Sequence, residues 1–352
     1  HGENDNRKRL LGAVNTPISQ RHERISHDFS TLNWLITVRF GFPCRVFVQS
    51  RPFVEIPSLL LPTMEGERFY FGYGSNLNAD DWATWCQTRG SDPASIECIG
   101  SAWLLDHSMK FHYHSKGRNG GAADVVKDVA GTTVPGAVFA LSGEGWELMD
   151  KKEGHPRCYR RTPVSVVTDK GSVVDAITYT VVPNQQQTAL VPPTPRYARL
   201  ISEGLSERNL PIEHLNQSIQ NVDSKSRLQH VFVYGTLMRG EPRWPQLEPW
   251  SSSPVQQGMI TGRLYNLGSF PGLRLDEIGT VHGEVHRCDN IEKALGILDQ
   301  VEGHNAGFLR EGLYVRVPVS VRTSEGTVWA WTYVINEAPH PSTRLQDGRW
   351  IS

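Results

Sequence analysis

Two glutamates stand in the same short setting. Glu153 belongs to Asp150-Lys-Lys-Glu-Gly-His155 and Glu302 to Asp299-Gln-Val-Glu-Gly-His304. Each follows a stretch with helical spacing, Trp146 and Met149 in one case, Leu295 and Leu298 in the other, and the glycine after it marks a helix end. A carboxylate carried into a pocket at such an end has a raised pKa and works as a general base. A lone glutamate near a helix terminus is more often a solvated surface charge, but recurrence at matched positions weakens that reading. Asp150 and Asp299 are read as capping or orienting groups. His155 and His304 either line the site or finish the helix.

A second recurring element is a strand that runs into a glycine turn: Phe69-Tyr-Phe-Gly-Tyr73-Gly74-Ser75-Asn76-Leu77, and later Val231-Phe-Val-Tyr234-Gly235-Thr236-Leu237. Gly74 and Gly235 permit a tight bend that brings backbone N–H groups close to an anion. Such glycines can also be plain turn residues. The hydroxyl that follows each, Ser75 or Thr236, adds a donor that a structural turn does not need.

The elements that must position these groups also repeat. Between turn and glutamate lie Gly136-Ala-Val138 and Gly283-Glu-Val285, each expected to open a short strand. After the glutamates come Tyr159-Arg-Arg-Thr-Pro-Val-Ser-Val166 and Tyr314-Val-Arg-Val-Pro-Val-Ser-Val321, whose proline suits a strand edge or start. Ala176-Ile-Thr-Tyr179 and Ala330-Trp-Thr-Tyr333 complete the series. Five parts in one order predict two domains, at 64 to 220 and 229 to 352, joined by a polar linker from Asn216 to Gln229. Many short strands with few helices predict an α+β fold: two small mixed β-barrels with flanking helices.

Composition narrows the function. The 36 basic and 37 acidic residues nearly cancel, so no electrostatic grip on nucleic acid or anionic lipid is expected, and a small-molecule partner fits better. No apolar run reaches the roughly 20 residues of a membrane span. The five cysteines are scattered without a CxxC pair, which favours a reducing, cytoplasmic setting. His112 and His114 share a strand face that could invite a metal, but no second ligand cluster accompanies them, so none is expected. No phosphate loop, nucleophile elbow or zinc helix is present, and no cofactor is expected. Residues 1 to 63 show no sustained period. They are expected to be a disordered extension or a segment foreign to the working enzyme.

Tyr73-Gly-Ser-Asn-Leu77 together with Glu153-Gly154 resembles the gamma-glutamylcyclotransferase family. The resemblance extends to Gly120-Gly121 and Pro193-Thr-Pro-Arg-Tyr197. Tyr234-Gly-Thr-Leu237, Phe270-Pro-Gly272 and Gly348-Arg-Trp350 are similar to the AIG2-like, gamma-glutamylamine branch of that superfamily. The resemblance implies that the Tyr73 to Leu77 loop holds a glutamyl head, that Glu153 is the acid/base, and that Tyr197 lines the site. Tyr234, Gly235, Thr236 and Leu237 with Glu302 inherit the same roles. The implied reaction closes the substrate's α-amine onto its γ-carbonyl and releases 5-oxoproline. Met238 stands where amine-acting relatives carry lysine, and the second copy has no evident counterpart of Tyr197. A non-catalytic ligand-binding module, above all in the second copy, and a deacylase removing a γ-glutamyl protecting group are the competing readings.

Overall fold

A computed structural model describes residues 69–221, 227–275 and 278–351, which belong to one compact unit. The expectation for residues 1 to 63 lies outside the described residues. The first half runs β1 (Phe69–Gly72), α1 (Ala79–Gln87), β2 (Ile96–Leu105), β3 (His107–Ser115), β4 (Gly120–Lys127), β5 (Thr133–Leu141), α2 (Gly143–Glu153), β6 (Tyr159–Thr168), β7 (Val173–Val181), α3 (Pro195–Ser206) and α4 (Glu213–Gln220). Five of these strands close a barrel in the order β1-β5-β2-β6-β7, and β3 and β4 form a hairpin beside it. The closing pair, β1 with β7, is parallel and the other pairs are antiparallel, so the barrel is mixed.

The second half repeats this plan with β8 (His230–Val233), α5 (Trp244–Leu247), β9 (Ser251–Thr261), β10 (Arg263–Asn266), β11 (Pro271–Arg274), β12 (Thr280–Cys288), α6 (Ile291–Glu302), β13 (Tyr314–Thr323), β14 (Gly326–Ile335) and β15 (Arg344–Leu345). Strands β8, β12, β9, β13 and β14 close a second barrel, again through one parallel pair, β14 with β8. The short strands β10, β11 and β15 form a small sheet at the place of the first hairpin.

Gly136 and Gly283 lie inside β5 and β12 and do not open them. A Cβ at Gly136 would stand 2.3 Å from the Gly72 carbonyl oxygen and 2.7 Å from the Phe71 ring. At Gly283 it would stand 2.2 Å from the Val233 carbonyl oxygen and 2.8 Å from the Phe232 ring. In both barrels glycine lets an aromatic side chain of the first strand lie across the neighbouring strand. Pro163 and Pro318 sit mid-strand, where β6 and β13 each pair on one side only, because their second neighbours join near residues 167 and 322. The proposed linker is helical at its start, since α4 continues to Gln220 and presents His214 and Leu215 to the core. Amphipathic packing against β3 outweighs the polar composition there.

The barrels meet face to face. Trp103 of β2 and Trp329 of β14 form an edge-on pair with centroids 4.9 Å apart. Asp106, between β2 and β3, reaches Arg316 of β13 at 2.6 Å, and the same guanidinium binds Asp299 of α6. The Arg316 side chain is fully enclosed. No helix among the described residues is long and apolar enough to cross a membrane.

Candidate active site

Helix α2 places Glu153. Ser142 caps its start by accepting from the Gly145 amide at 3.0 Å, and Gly154, at φ 65°, ends it in the left-handed conformation that glycine tolerates. The carboxylate therefore leaves the last helical residue and enters the barrel mouth. Helix α6 is built alike, with Asn290 capping its start and Gly303, also at φ 65°, following Glu302. Behind each glutamate an aspartate one turn earlier anchors the helix. Asp150 takes two hydrogen bonds from Arg161, at 2.9 and 2.8 Å, and one from the Tyr179 hydroxyl at 2.6 Å. Asp299 takes the corresponding bonds from Arg316 and Tyr333. Asp150 and Asp299 are therefore orienting groups.

Opposite Glu153 stands the loop after β1. Asn76 donates through Nδ2 to Glu153 Oε1 at 2.7 Å and to the Tyr70 hydroxyl at 2.8 Å. Its Oδ1 is buried without a partner among the described residues, so a ligand N–H would satisfy it. Tyr73 fixes the loop by donating to the Tyr179 carbonyl at 2.6 Å. Tyr159 donates to the Ala123 carbonyl at 2.7 Å, and the Tyr197 hydroxyl accepts from the Ala123 amide at 3.3 Å. These groups line a cavity of about 490 Å³, within the ordinary range for small-molecule sites. Tyr73, Gly74, Ser75, Asn76, Glu153 and Tyr197 all face it. Leu77 does not: it is fully buried against Gly204 of α3 and anchors the loop from behind.

The electrostatics single out Glu153. Burial raises its pKa, while the Asn76 hydrogen bond and the charges of Lys152 and Arg118 pull it down. Burial also holds Tyr70, Tyr73 and Tyr159 well above the usual phenol range, so these rings stay protonated; Tyr73 and Tyr159 act as donors, and the Tyr70 hydroxyl accepts from Asn76. Three charged groups stand beside the glutamate. Asp81, in the first turn of α1, binds Lys152 Nζ at 3.1 Å and Arg118 Nη2 at 3.0 Å, and Arg118 donates at 2.7 Å to the Ser75 hydroxyl.

The second barrel holds the matching parts in a closed site. Tyr234 donates to the Tyr333 carbonyl at 2.6 Å, as Tyr73 does to Tyr179. Tyr314 donates to the Pro271 carbonyl at 2.6 Å, so Pro271 occupies the place that Ala123 holds in the first barrel. The proline ring lies on Gly235, where a Cβ would meet its Cγ at 2.4 Å; the group nearest Gly74 is the Tyr197 hydroxyl, at 3.3 Å. The cavity bounded by Tyr234, Gly235, Thr236, Leu237, Pro271 and Glu302 measures about 30 Å³, room for a water molecule. The amides of Leu77 and Met238 each donate to the carbonyl of the loop glycine, which matches Asn76 with Leu237. Glu302 thus lacks the amide that Glu153 has. Burial, opposed only by the charge of Arg243, pushes its pKa up to about 7.

Neither histidine after the glutamates lines either of these two cavities. His304 is buried, with Nδ1 accepting from the Arg316 amide at 3.2 Å, and His155 packs on Tyr179. His112 is paired with Asp124 at 2.7 Å. Sequence reasoning missed Arg118, Asp81 and Lys152. Lys152 was detectable as a lysine preceding one paired glutamate where Val301 precedes the other. Arg118 lies in the β3–β4 turn, where the copies differ in length, so comparing them could not expose it.

Paired helix-end glutamates facing glycine loops, in two closed mixed barrels, define a tandem protein of one site architecture. The gamma-glutamyl cyclotransferase, AIG2-like family model matches residues 231–352, and the AIG2-like family model matches residues 133–217. The Vibrio cholerae protein described as a putative gamma-glutamylcyclotransferase is 32% identical over 124 residues, 35% of this chain and 96% of its own length. Gamma-L-glutamyl-butirosin B gamma-glutamyl cyclotransferase of Niallia circulans is 31% identical over 121 residues, 34% of this chain and 75% of its own length. Bos taurus gamma-glutamylcyclotransferase is 28% identical over 192 residues, 52% of this chain and 95% of its own. The chain belongs to the gamma-glutamylcyclotransferase family.

Proposed function

We propose that the first barrel releases 5-oxoproline from γ-glutamyl peptides or amines, with Glu153 as the general acid/base. The observation that carries this reading is a half-buried carboxylate, oriented by Asn76, on the wall of a cavity of about 490 Å³. Glu153 takes a proton from the substrate's α-ammonium. The freed nitrogen attacks the γ-carbonyl carbon, a C–N bond forms, and the γ-amide C–N bond breaks as Glu153 returns the proton to the leaving nitrogen; the regenerated carboxylate then takes the second proton from the ring nitrogen, leaving a neutral lactam, and passes it to the released amine. No water is consumed and nothing is oxidised. Deprotonating an α-amine of pKa about 7.7 to 8 costs only about 1 kcal/mol at pH 7, so the site's main contribution is to hold the amine against the carbonyl. Backbone N–H groups of the Gly74 loop are suited to the oxyanion.

The relatives' names support a γ-glutamyl substrate and leave the leaving group open, since one of them acts on a butirosin conjugate. A second reading concerns the second barrel alone: a cavity of about 30 Å³ favours a copy that does not turn substrate over unless Pro271 moves off Gly235. The test is 5-oxoproline release from γ-glutamyl dipeptides, glutathione and γ-glutamylamines by wild type, Glu153→Gln and Glu302→Gln. Glu153→Gln is expected to lose at least about 100-fold in kcat, as for a removed acid/base, and Glu302→Gln to keep wild-type rates. Undiminished release by Glu153→Gln would sink the mechanism.

A further inference from the structure

We propose, resting on the cyclotransferase reading, that Arg118 receives the α-carboxylate of the glutamyl head and that Asp81 is the positioning residue that holds Arg118 there. The α-amine and α-carboxylate of a glutamyl group share one carbon. If the amine meets Glu153, the carboxylate must be received within a few ångströms of it. Two cations line the same cavity as Glu153, and the charges of both act on it.

They are not equivalent. Lys152 has a side chain only 5% exposed, lies over the rings of Trp82 and Trp85, and is pinned to Asp81. Arg118 is carried on the β3–β4 turn with 27% of its side chain exposed, and its guanidinium lies 5.0 Å over the Tyr197 ring. Of its five N–H groups, three are engaged, two by Asp81 and one by Ser75, which leaves two for a ligand. Asp81 holds the two-pronged edge of the guanidinium, so the ligand carboxylate accepts single charge-assisted bonds from Nε or the outer Nη1 hydrogen. Ser75, having accepted from Arg118, keeps its own hydroxyl hydrogen to donate. Charge agrees with geometry: Lys152 and Arg118 against Asp81 leave a surplus of one positive charge, matched by one substrate carboxylate once Glu153 has taken the ammonium proton.

Affinity is measured by calorimetry on full-length Glu153→Gln protein, which isolates binding from turnover, with γ-glutamyl-alanine and γ-glutamyl-alaninamide as ligands. Adding Arg118→Gln is expected to weaken both ligands by about ten-fold or more, the loss of a charge-assisted pair. Adding Asp81→Asn acts in the same direction by less, and Arg118→Lys restores part of the loss. Where Glu153 is intact, Arg118→Gln raises KM more than it lowers kcat. Affinity unchanged within about two-fold overturns the assignment. So does weakening confined to γ-glutamyl-alanine, which would place Arg118 on the leaving group's carboxylate. A wild type that binds both ligands and releases no 5-oxoproline overturns the cyclotransferase reading and leaves Arg118 as the carboxylate receptor. Thermal melts of each variant separate lost binding from lost fold.

Discussion

Asn76 and Leu237 occupy one place in two copies of one loop, and the difference falls on the glutamate each faces. Asn76 donates to Glu153 at 2.7 Å and so favours its ionised form. Asn76→Leu therefore moves the acidic limb of the kcat profile to higher pH and lowers kcat by about 10- to 100-fold, the loss of one hydrogen bond to a charged group; rates across roughly pH 5 to 9 would show both effects. An unmoved limb would mean that Asn76 does not act on the base. Glu302 offers a stability test. Its folded pKa is raised from 4.5 to about 7, so between those values the folded state holds a proton that the unfolded chain has lost. Its contribution is fully present below about pH 4.5 and falls away as pH rises through about 7. Glu302→Gln removes this loss, so relative to wild type it gains stability between pH 5 and 8, by at most about 3 kcal/mol. Urea midpoints at the two pH values measure it, and a wild-type-to-variant difference independent of pH would contradict the burial of Glu302 as a carboxylate.

At the scale of elements, internal repetition made the α+β class and the paired barrels legible, because each copy restates the same strands and the same capped helix. It did not reveal why Gly136 and Gly283 are glycines. In the sequence each resembles a residue opening a strand, and only the closed barrel brings a carbonyl and an aromatic ring within 3 Å of the missing Cβ. Gly136→Ala and Gly283→Ala are each expected to cost about 1–3 kcal/mol, since backbone must move to admit the methyl, and chemical denaturation measures it. A cost near zero in either would show that the strands separate freely at that point. The site was legible in the groups both copies share, Tyr73, Gly74, Ser75 and Glu153, and through the family resemblance in Asn76 and Tyr197, but not in Arg118, Asp81 and Lys152, which neither the repeat nor the motif contains. Arg118 rides on a hairpin that the second copy builds from the shorter β10 and β11, and Pro271 closes the second cavity through a contact across 36 residues that no local pattern announces.

At the scale of the molecule, Asp106 ties the first barrel to the second. In the first copy Arg161 serves Asp150 and Tyr179 near the surface, with 31% of its side chain exposed. Its counterpart Arg316 is fully enclosed between Asp299 and Asp106, so the helix that carries Glu302 is braced by a residue of the other barrel. Asp106→Ala leaves Arg316 neutralised by Asp299 but strips its Nη2 of an acceptor, beside an Nε that already lacks a partner among the described residues, at a cost of about 1.5–3 kcal/mol for a buried hydrogen bond between charged groups. The expected result is a loss of that size in urea denaturation, carried chiefly by the second barrel and followed through Trp329 and Trp331 fluorescence. The Glu153 site, anchored through Asp150 and Arg161, keeps its activity under conditions where the variant remains folded. A variant as stable as wild type would mean that the barrels are held by apolar contacts such as Trp103 with Trp329, and that the ion triad only sets their register.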